Sequence, residues 1–437
     1  MIVSEPVEET GFFWLPESPE NRFPGFLRIS ESGTVTLEIT SLSNIFAGER
    51  SFGDPWAGGI LIEFERIVGV TKSGFVTLDG CSETNVSTVI GGLSTSTFNV
   101  KQAFIGVGCE KGRDVVFSEL RFSLMNLNEW LRISGIEATQ KENKSISINY
   151  SHPKPIVINI SDEFQLKFDF EASVPTGFDI NEAKITQKAF VVLISQSEKP
   201  LDDFLSLASK IKDFFSFVTT RTAFIDSVSG YSDEIKQRGK DTNYRMPVNI
   251  YFREFPSSNQ YRHARAQEMF FVFSEIKDRV EVTFRNWIRI YDSYESILDR
   301  YFRSNLDYTM DLERRFLILV EGIAAIHIAI HDKQDSFLAD RLKEMMAPFQ
   351  KHFGIDDELD GFVRKVVSAR NYLVHLRRRD RDYIPNTEEL FELNSKLEAI
   401  FQLFLLRSLG IEDEHLDKIA KENRHLRGNL ECKAGRA

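Results

Sequence analysis

Cysteine is scarce in this chain: three residues in 437, at Cys81, Cys109 and Cys432, with no metal-ligand spacing between them. That argues against both a disulfide framework and a cysteine-built zinc site. Long apolar runs are also missing. The longest, Phe316 to Ile330, carries Glu321 and His327 and is too short to span a bilayer. The opening Met1-Ile2-Val3-Ser4-Glu5-Pro6 has neither a basic n-region nor an apolar h-region. These absences set the expectation of a reducing, cytoplasmic location without membrane contact. No phosphate-binding or dinucleotide fingerprint occurs, since Gly106-Val107-Gly108 lacks the strand-to-helix context and the third glycine. No repeat is clear enough to imply a solenoid. A surplus of positive charge is absent as well. The net charge of −11 argues against nucleic-acid affinity spread over the whole surface, and leaves room only for a local basic site.

What is present is ordinary globular material: 42% hydrophobic and 27% charged residues, with phenylalanine heavily used at 37. The phenylalanines read as core packing. The length is too great for one ordinary core and suggests two or three domains. The patterns indicate an α+β multidomain chain, in which a β-rich, antiparallel, sandwich-like region precedes an all-α helical bundle. Residues 1–270 form the β-rich part and 271–437 the helical part. Phe26–Ile29, Thr34–Ile39, Ile60–Phe64, Phe75–Leu78, Val115–Phe117 and Phe164–Phe170 have the β-branched content and period-two alternation of strands. A polar gap at Lys141–Lys144 is a candidate division of this region. One helix interrupts it, at about Leu201 to Thr220.

Beyond residue 270 the period changes. Helices are expected over Glu281–Phe302, Leu312–Ile330, Phe337–Met346 (ended by Pro348) and from Leu359. The second is apolar nearly all round and should be buried. Asn386 with Glu389 makes a capping box for a helix running to about Ser408, with Gly410 as its stop. The tail from Lys421 is polar and expected to fray.

The helix from Leu359 carries the chemistry. Its apolar stripe, Phe362/Val363, Val366/Val367 and Leu373/Val374, continues onto Arg370, where packing favours an aliphatic side chain. A guanidinium there needs a partner, because removing one member of a buried pair costs about 3–5 kcal/mol. His375 lies five residues on, roughly 7.5 Å along the axis and within an arginine's reach. It is a side chain that exchanges protons near neutral pH. Asn371, four residues before His375, shares its face. Residues 361–383 hold seven Lys/Arg, including Arg377, Arg378, Arg379 and Arg381, against two Asp, a local +5 in an acidic chain. A cation, a proton carrier and a basic rim together point to phosphate chemistry.

Arg370-Asn371-Tyr372-Leu373-Val374-His375 at the end of a helix in an all-α segment resembles the R-x4–6-H motif of HEPN domains. It is most similar to the branch found in ApeA-type bacterial anti-phage defence proteins. Gly11-Phe12-Phe13-Trp14-Leu15-Pro16, Pro24-Gly25-Phe26-Leu27 and Thr36-Leu37-Glu38 resemble the N-terminal domain of that family. The resemblance implies a metal-independent endoribonuclease of the abortive-infection type, acting on tRNA or other cellular RNA, with no cofactor. His375 would move the proton of the 2′-hydroxyl, a role that contributes about 10²–10⁴-fold. Arg370 would hold the phosphorane oxygens, where a preorganised donor is worth about 3–4 kcal/mol. Asn371 would orient His375 or bind phosphate, and Arg377–Arg381 would steer RNA. A homodimer through the HEPN domain, a phage-derived trigger and a sensing or regulatory N-terminal domain are also implied. The alternatives are a structural ion pair for Arg370, a helix C-terminal cap for His375, and a catalytically inactive HEPN-like module that binds RNA or dimerises.

Glu321 is the second anomaly. A carboxylate inside Phe316–Ile323 is expected to be paired or protonated, with Arg370 as the economical partner that Glu321 would hold in place; the alternatives are a purely structural pair or pairing with Arg314. His327 and His331, four apart on the same helix, make half of a metal site. No third ligand is evident in sequence, so no metal is expected.

Overall fold

The structure is a computed structural model that describes residues 6–41, 62–87, 93–109, 112–140, 145–174, 184–238, 243–253, 263–306, 310–331, 335–352, 359–375 and 384–433. It divides into two compact units. One comprises 1–128, 133–212 and 223–261, the other 129–132, 213–222 and 262–437. Among the described residues no helix is long and apolar enough to cross a membrane.

The first unit is β-rich and antiparallel, as the alternation predicts. Six strands, β1 (Val7–Trp14), β2 (Phe23–Ile29), β3 (Val35–Ser41), β4 (Glu63–Thr71), β5 (Gly74–Ser87) and β6 (Ser94–Ile105), close in the order β1-β2-β3-β6-β5-β4 and back to β1. Closure rests on two registers: Gly11↔Thr71 between β1 and β4, and Val76↔Ile105 between β5 and β6. The result is a barrel, not one leaf of a sandwich. Val35, Leu37 and Ile39 point inward while Glu38 faces water, the period-two division of a half-buried strand. Each such fully buried side chain contributes roughly 1.5–3 kcal/mol. The buried Phe13 ring fills the space over Gly25 and Gly69, where an added Cβ would lie 2.8 and 2.4 Å from it.

The long β6 also carries a second sheet. Its residues 94–100 pair with β3, whereas 102–105 pair with a later strand, Asn249↔Ile105. The strands of that sheet are β7 (Val116–Leu124), β10 (Ile156–Asn159), β11 (Phe164–Ser173), β12 (Thr186–Pro200), β13 (Ile225–Tyr231) and β16 (Val248–Phe252). They run β10-β11-β12-β7-β13-β16 outward-in toward β6, all antiparallel. Two hairpins stand apart: β8 (Ile136–Gln140) with β9 (Ile146–Tyr150), and β14 (Lys236–Arg238) with β15 (Asn243–Arg245). The polar gap at residues 141–144 lies outside the described residues, between the paired strands of the first hairpin.

Helices in chain order are α1 (Leu127–Leu131), α2 (Leu201–Val218), α3 (Phe273–Ile276), α4 (Val280–Leu306), α5 (Leu312–His331), α6 (Leu338–Met346), α7 (Leu359–His375), α8 (Thr387–Ser408), α9 (Asp413–Glu422) and α10 (Arg424–Leu430). The second unit is built from α3 to α10, with residues 129–131 of α1 and 213–218 of α2. In it, α5 packs against α4, α6, α7 and α8. Trp130, Phe214, Phe215 and Phe217, from the two short earlier segments, join Phe284 and Trp287 of α4 in one aromatic core. Phe214 and Phe284 centroids lie 4.4 Å apart, and Phe217 stacks on Trp287 at 5.9 Å.

Beside that core, the buried Tyr291 hydroxyl lies 2.7 Å from both Asp213 Oδ2 and Asp299 Oδ1. Burial, reinforced by the two carboxylates, pushes this phenol far above its ordinary pKa. Three residues on, α4 kinks at Tyr294 (φ −132°, ψ 27°). The Asn386–Glu389 capping box forms as expected, with Glu389 N–H donating to Asn386 Oδ1 at 2.9 Å. Gly410 takes φ +90°, the left-handed conformation that suits a helix stop.

Helix α6 ends at Met346, as expected, and Pro348 follows in a 3₁₀ turn, Ala347–His352, where a proline near the start leaves no orphaned donor. One expectation fails here. The tail does not fray. Asn423 caps α10 by accepting from Leu426 N–H at 2.9 Å, and its amide donates to the Glu268 and Met269 carbonyls. Leu426 and Leu430, one turn apart, are buried.

Candidate active site

The site is built on α7. Phe362, Val363, Val366 and Ala369 are buried, so the apolar stripe anchors the first three turns. At the last turn it lifts away: Leu373 is half-buried and Val374 exposed. Lys343 of α6 grips the start of the helix through Asp360 at 2.9 Å. The hydrogen bond from that ammonium holds the Asp360 carboxyl below its ordinary pKa.

Arg370 sits where the stripe emerges. It is half-buried and, with Asn371, forms one wall of a cleft of about 740 Å³ between α5, α6 and α7. Ala324, Ala325 and Ala339 leave the space that larger side chains would fill. Val320, Ile328, Leu338 and Val367 supply apolar lining, and Glu321, Arg341, Arg370 and Asn371 the polar groups. Arg370 Nη1 donates one long hydrogen bond to Asn371 Oδ1, 3.4 Å. Among the described residues it pairs with no carboxylate. Two guanidiniums facing a concave, partly apolar space make a site suited to a phosphodiester.

Glu321 differs from its expectation. It is exposed, and among the described residues no ion pair links it to Arg370 or Arg314. Its neighbours Val320 and Gly322 are buried, but its own position faces the open cleft, where water solvates the carboxylate without a partner. Accordingly α5 is not buried all round.

His375 is the last residue of α7; its side chain, and Arg377, Arg378, Arg379 and Arg381, lie outside the described residues. The fold thus brings Arg370, Asn371 and Glu321 to one cleft and adds Arg341, which the sequence reading missed. Arg341 belongs to no motif. Only the packing of α6 beside α7 brings it there, where Nε donates to Ser336 Oγ at 3.0 Å.

A second polar cluster occupies α5 and α6. His327 is fully buried, its Nε2 2.9 Å from Glu344 Oε2, and the His331 ring centroid lies 4.6 Å from that of His327. One ligand atom from each of His327, His331 and Glu344 falls within 4.8 Å of the others. Glu344 is the third ligand type that sequence spacing did not reveal.

Comparison with known families returned two matches. The family model described as ApeA N-terminal domain 1 matches residues 8–287, and the one described as Apea-like HEPN matches residues 274–415. Comparisons with curated proteins and with solved structures returned no match. Between them the two family matches cover the barrel, the second sheet and the helices that form the cleft. The chain belongs to the ApeA family of HEPN-type anti-phage defence proteins.

Proposed function

We propose that the helical domain is a metal-independent endoribonuclease that cuts tRNA or other cellular RNA and so halts growth of an infected cell. The observation that carries this reading is Arg370: a half-buried guanidinium on a cleft wall, paired with no carboxylate among the described residues. HEPN domains are generally ribonucleases, which supports the same reading. In the proposed reaction His375 accepts the proton of a ribose 2′-hydroxyl as the 2′-oxygen bonds to phosphorus. The bond from phosphorus to the 5′-oxygen then breaks, and that oxygen takes up a proton, leaving a 2′,3′-cyclic phosphate and a 5′-hydroxyl. Arg370 donates to the non-bridging oxygens as charge builds on them, and Arg341 adds a second cation. Asn371 either orients His375 or binds phosphate. The exposed Glu321 keeps the resting cleft from trapping anions strongly.

Arg377, Arg378, Arg379 and Arg381 steer RNA toward the cleft in this account. A homodimer through the helical domain sets two motif helices face to face, and the exposed Val374 and Phe337 suit such a surface. The β-rich domain senses a phage-derived trigger and restrains the nuclease, in a cytoplasmic setting. A second reading, a module that binds RNA or dimerises without cutting, draws on the same exposed apolar side chains.

The test is incubation of pure protein with total tRNA in EDTA beside Arg370→Ala and His375→Ala. Cyclic-phosphate ends produced by the wild type alone are expected. RNA binding without cutting, unchanged by His375→Ala, would favour the second reading.

A further inference from the structure

We propose that His327, His331 and Glu344 form a binding site for one zinc-class divalent cation, which ties the end of α5 to α6. Three observations carry it. His327 and His331 are one turn apart on a single helix, so both rings project from one face. Glu344 comes from a different helix and brings its carboxylate within 2.9 Å of His327 Nε2. The three ligand atoms lie within 4.8 Å of one another, whereas bonds of about 2.0–2.2 Å in a tetrahedral site put ligands roughly 3.5 Å apart. His331 and Glu344 are exposed, so small side-chain rotations at the surface can close that difference around the buried His327.

The donor set defines the ion. Two imidazoles and one carboxylate favour zinc and its neighbours over magnesium or calcium, which prefer oxygen ligands. Three protein ligands leave a fourth position for water. A cation bound through His327 Nε2 requires the neutral ring to carry its proton on Nδ1. That nitrogen is buried and has no hydrogen-bond partner among the described residues. A ligand histidine normally donates there to a carbonyl or carboxylate, and losing such support costs about 10–100-fold in affinity. The site is therefore of moderate affinity and fills only when the ion is supplied. None of its three ligands lines the cleft of Arg370, although both of their helices do. The ion holds those helices together and takes no part in the metal-independent cleavage proposed above.

The experiment uses the untagged full chain, stripped with EDTA and then freed of chelator. Calorimetry with Zn²⁺, cobalt(II) absorption and thermal melting are measured for the wild type, His331→Ala and Glu344→Gln. Both substitutions fall at exposed positions, and circular dichroism checks that the variants fold. Expected are one Zn²⁺ per chain, a melting temperature raised by Zn²⁺ but not by Mg²⁺, and tetrahedral cobalt(II) bands. Each variant should bind more than 100-fold more weakly and lose the melting shift. Absence of saturable binding, or binding retained by both variants, would overturn the site and leave a hydrogen-bonded His–Glu pair. No RNA is present in these measurements, so the outcome is independent of whether the protein cleaves.

Discussion

Arg66 in the barrel and Arg370 in the helical unit are the same residue type in opposite circumstances. Arg66 is fully committed: Nε and Nη2 grip the two oxygens of Asp79 at 2.6 and 2.8 Å, and Nη1 donates to the Arg113 carbonyl at 2.6 Å. The hydrogen bonds it donates to Asp79 are the main reason its pKa is raised, so its charge serves the fold. Arg370 makes one long bond to its sequence neighbour and faces a cleft. The difference teaches where to look for chemistry. Other β-unit cations follow the Arg66 pattern, among them Arg121 with Glu171 and Arg245 with Glu119. A cation held at a concave surface without an anion is a donor in reserve.

That contrast can be broken or sharpened by substitution. The largest effect is expected at Arg370→Ala, where cleavage should fall by about 10²–10³-fold. Its melting temperature should stay near wild type, since surface changes away from such networks are usually within about 0.5 kcal/mol. Next comes Arg66→Met, which strands Asp79 in the barrel wall. It should cost roughly 2–3 kcal/mol in denaturant unfolding, a buried-pair penalty reduced because the pair is partly exposed. Any effect of Arg66→Met on specific activity of the folded fraction would erase the contrast. Tyr291→Phe should cost about 1–2 kcal/mol, because Asp213 loses its phenol donor in a buried site. Asn386→Ala should cost about 1 kcal/mol through loss of the α8 cap.

A pH measurement probes the committed class once more. The Lys351 ammonium holds the Asp417 carboxyl below its ordinary pKa, with His352 on the same carboxylate at 3.2 Å. A depressed carboxylate adds stability that is present above its unfolded pKa and is lost as pH falls through the folded one. Lys351→Met should therefore lower stability at neutral pH and make the acid limb below the usual carboxylate range shallower. Equal slopes for wild type and variant would remove this pair from the account.

Local order was largely legible in the sequence, and tertiary juxtaposition was not. Alternation and helical spacing are properties of neighbouring residues, so Val35–Ser41, α7 and the Asn386 cap could be read directly. Barrel closure could not, because it depends on the 14-residue β5 pairing with β4 on one edge and β6 on the other. Arg341 and Glu344 escaped for the same reason: each gains its meaning from a helix that the sequence does not place beside it. The exposure of Glu321 is not legible in an apolar run, because the run does not say which of its faces meets a neighbouring helix. The tail was misread since its two leucines look sparse until Asn423 caps them into a helix. That Arg370 and Asn371 share a cleft wall follows from their being adjacent on one helix.

The central claim is that Arg370 serves RNA cleavage and not the fold. Its most direct test sets cleavage rate and thermal melting of Arg370→Ala side by side, with Arg66→Met as the structural reference. The account predicts that Arg370→Ala melts like wild type and cuts about 10²–10³-fold more slowly. A melting loss as large as that of Arg66→Met, or cleavage near the wild-type rate, would contradict it.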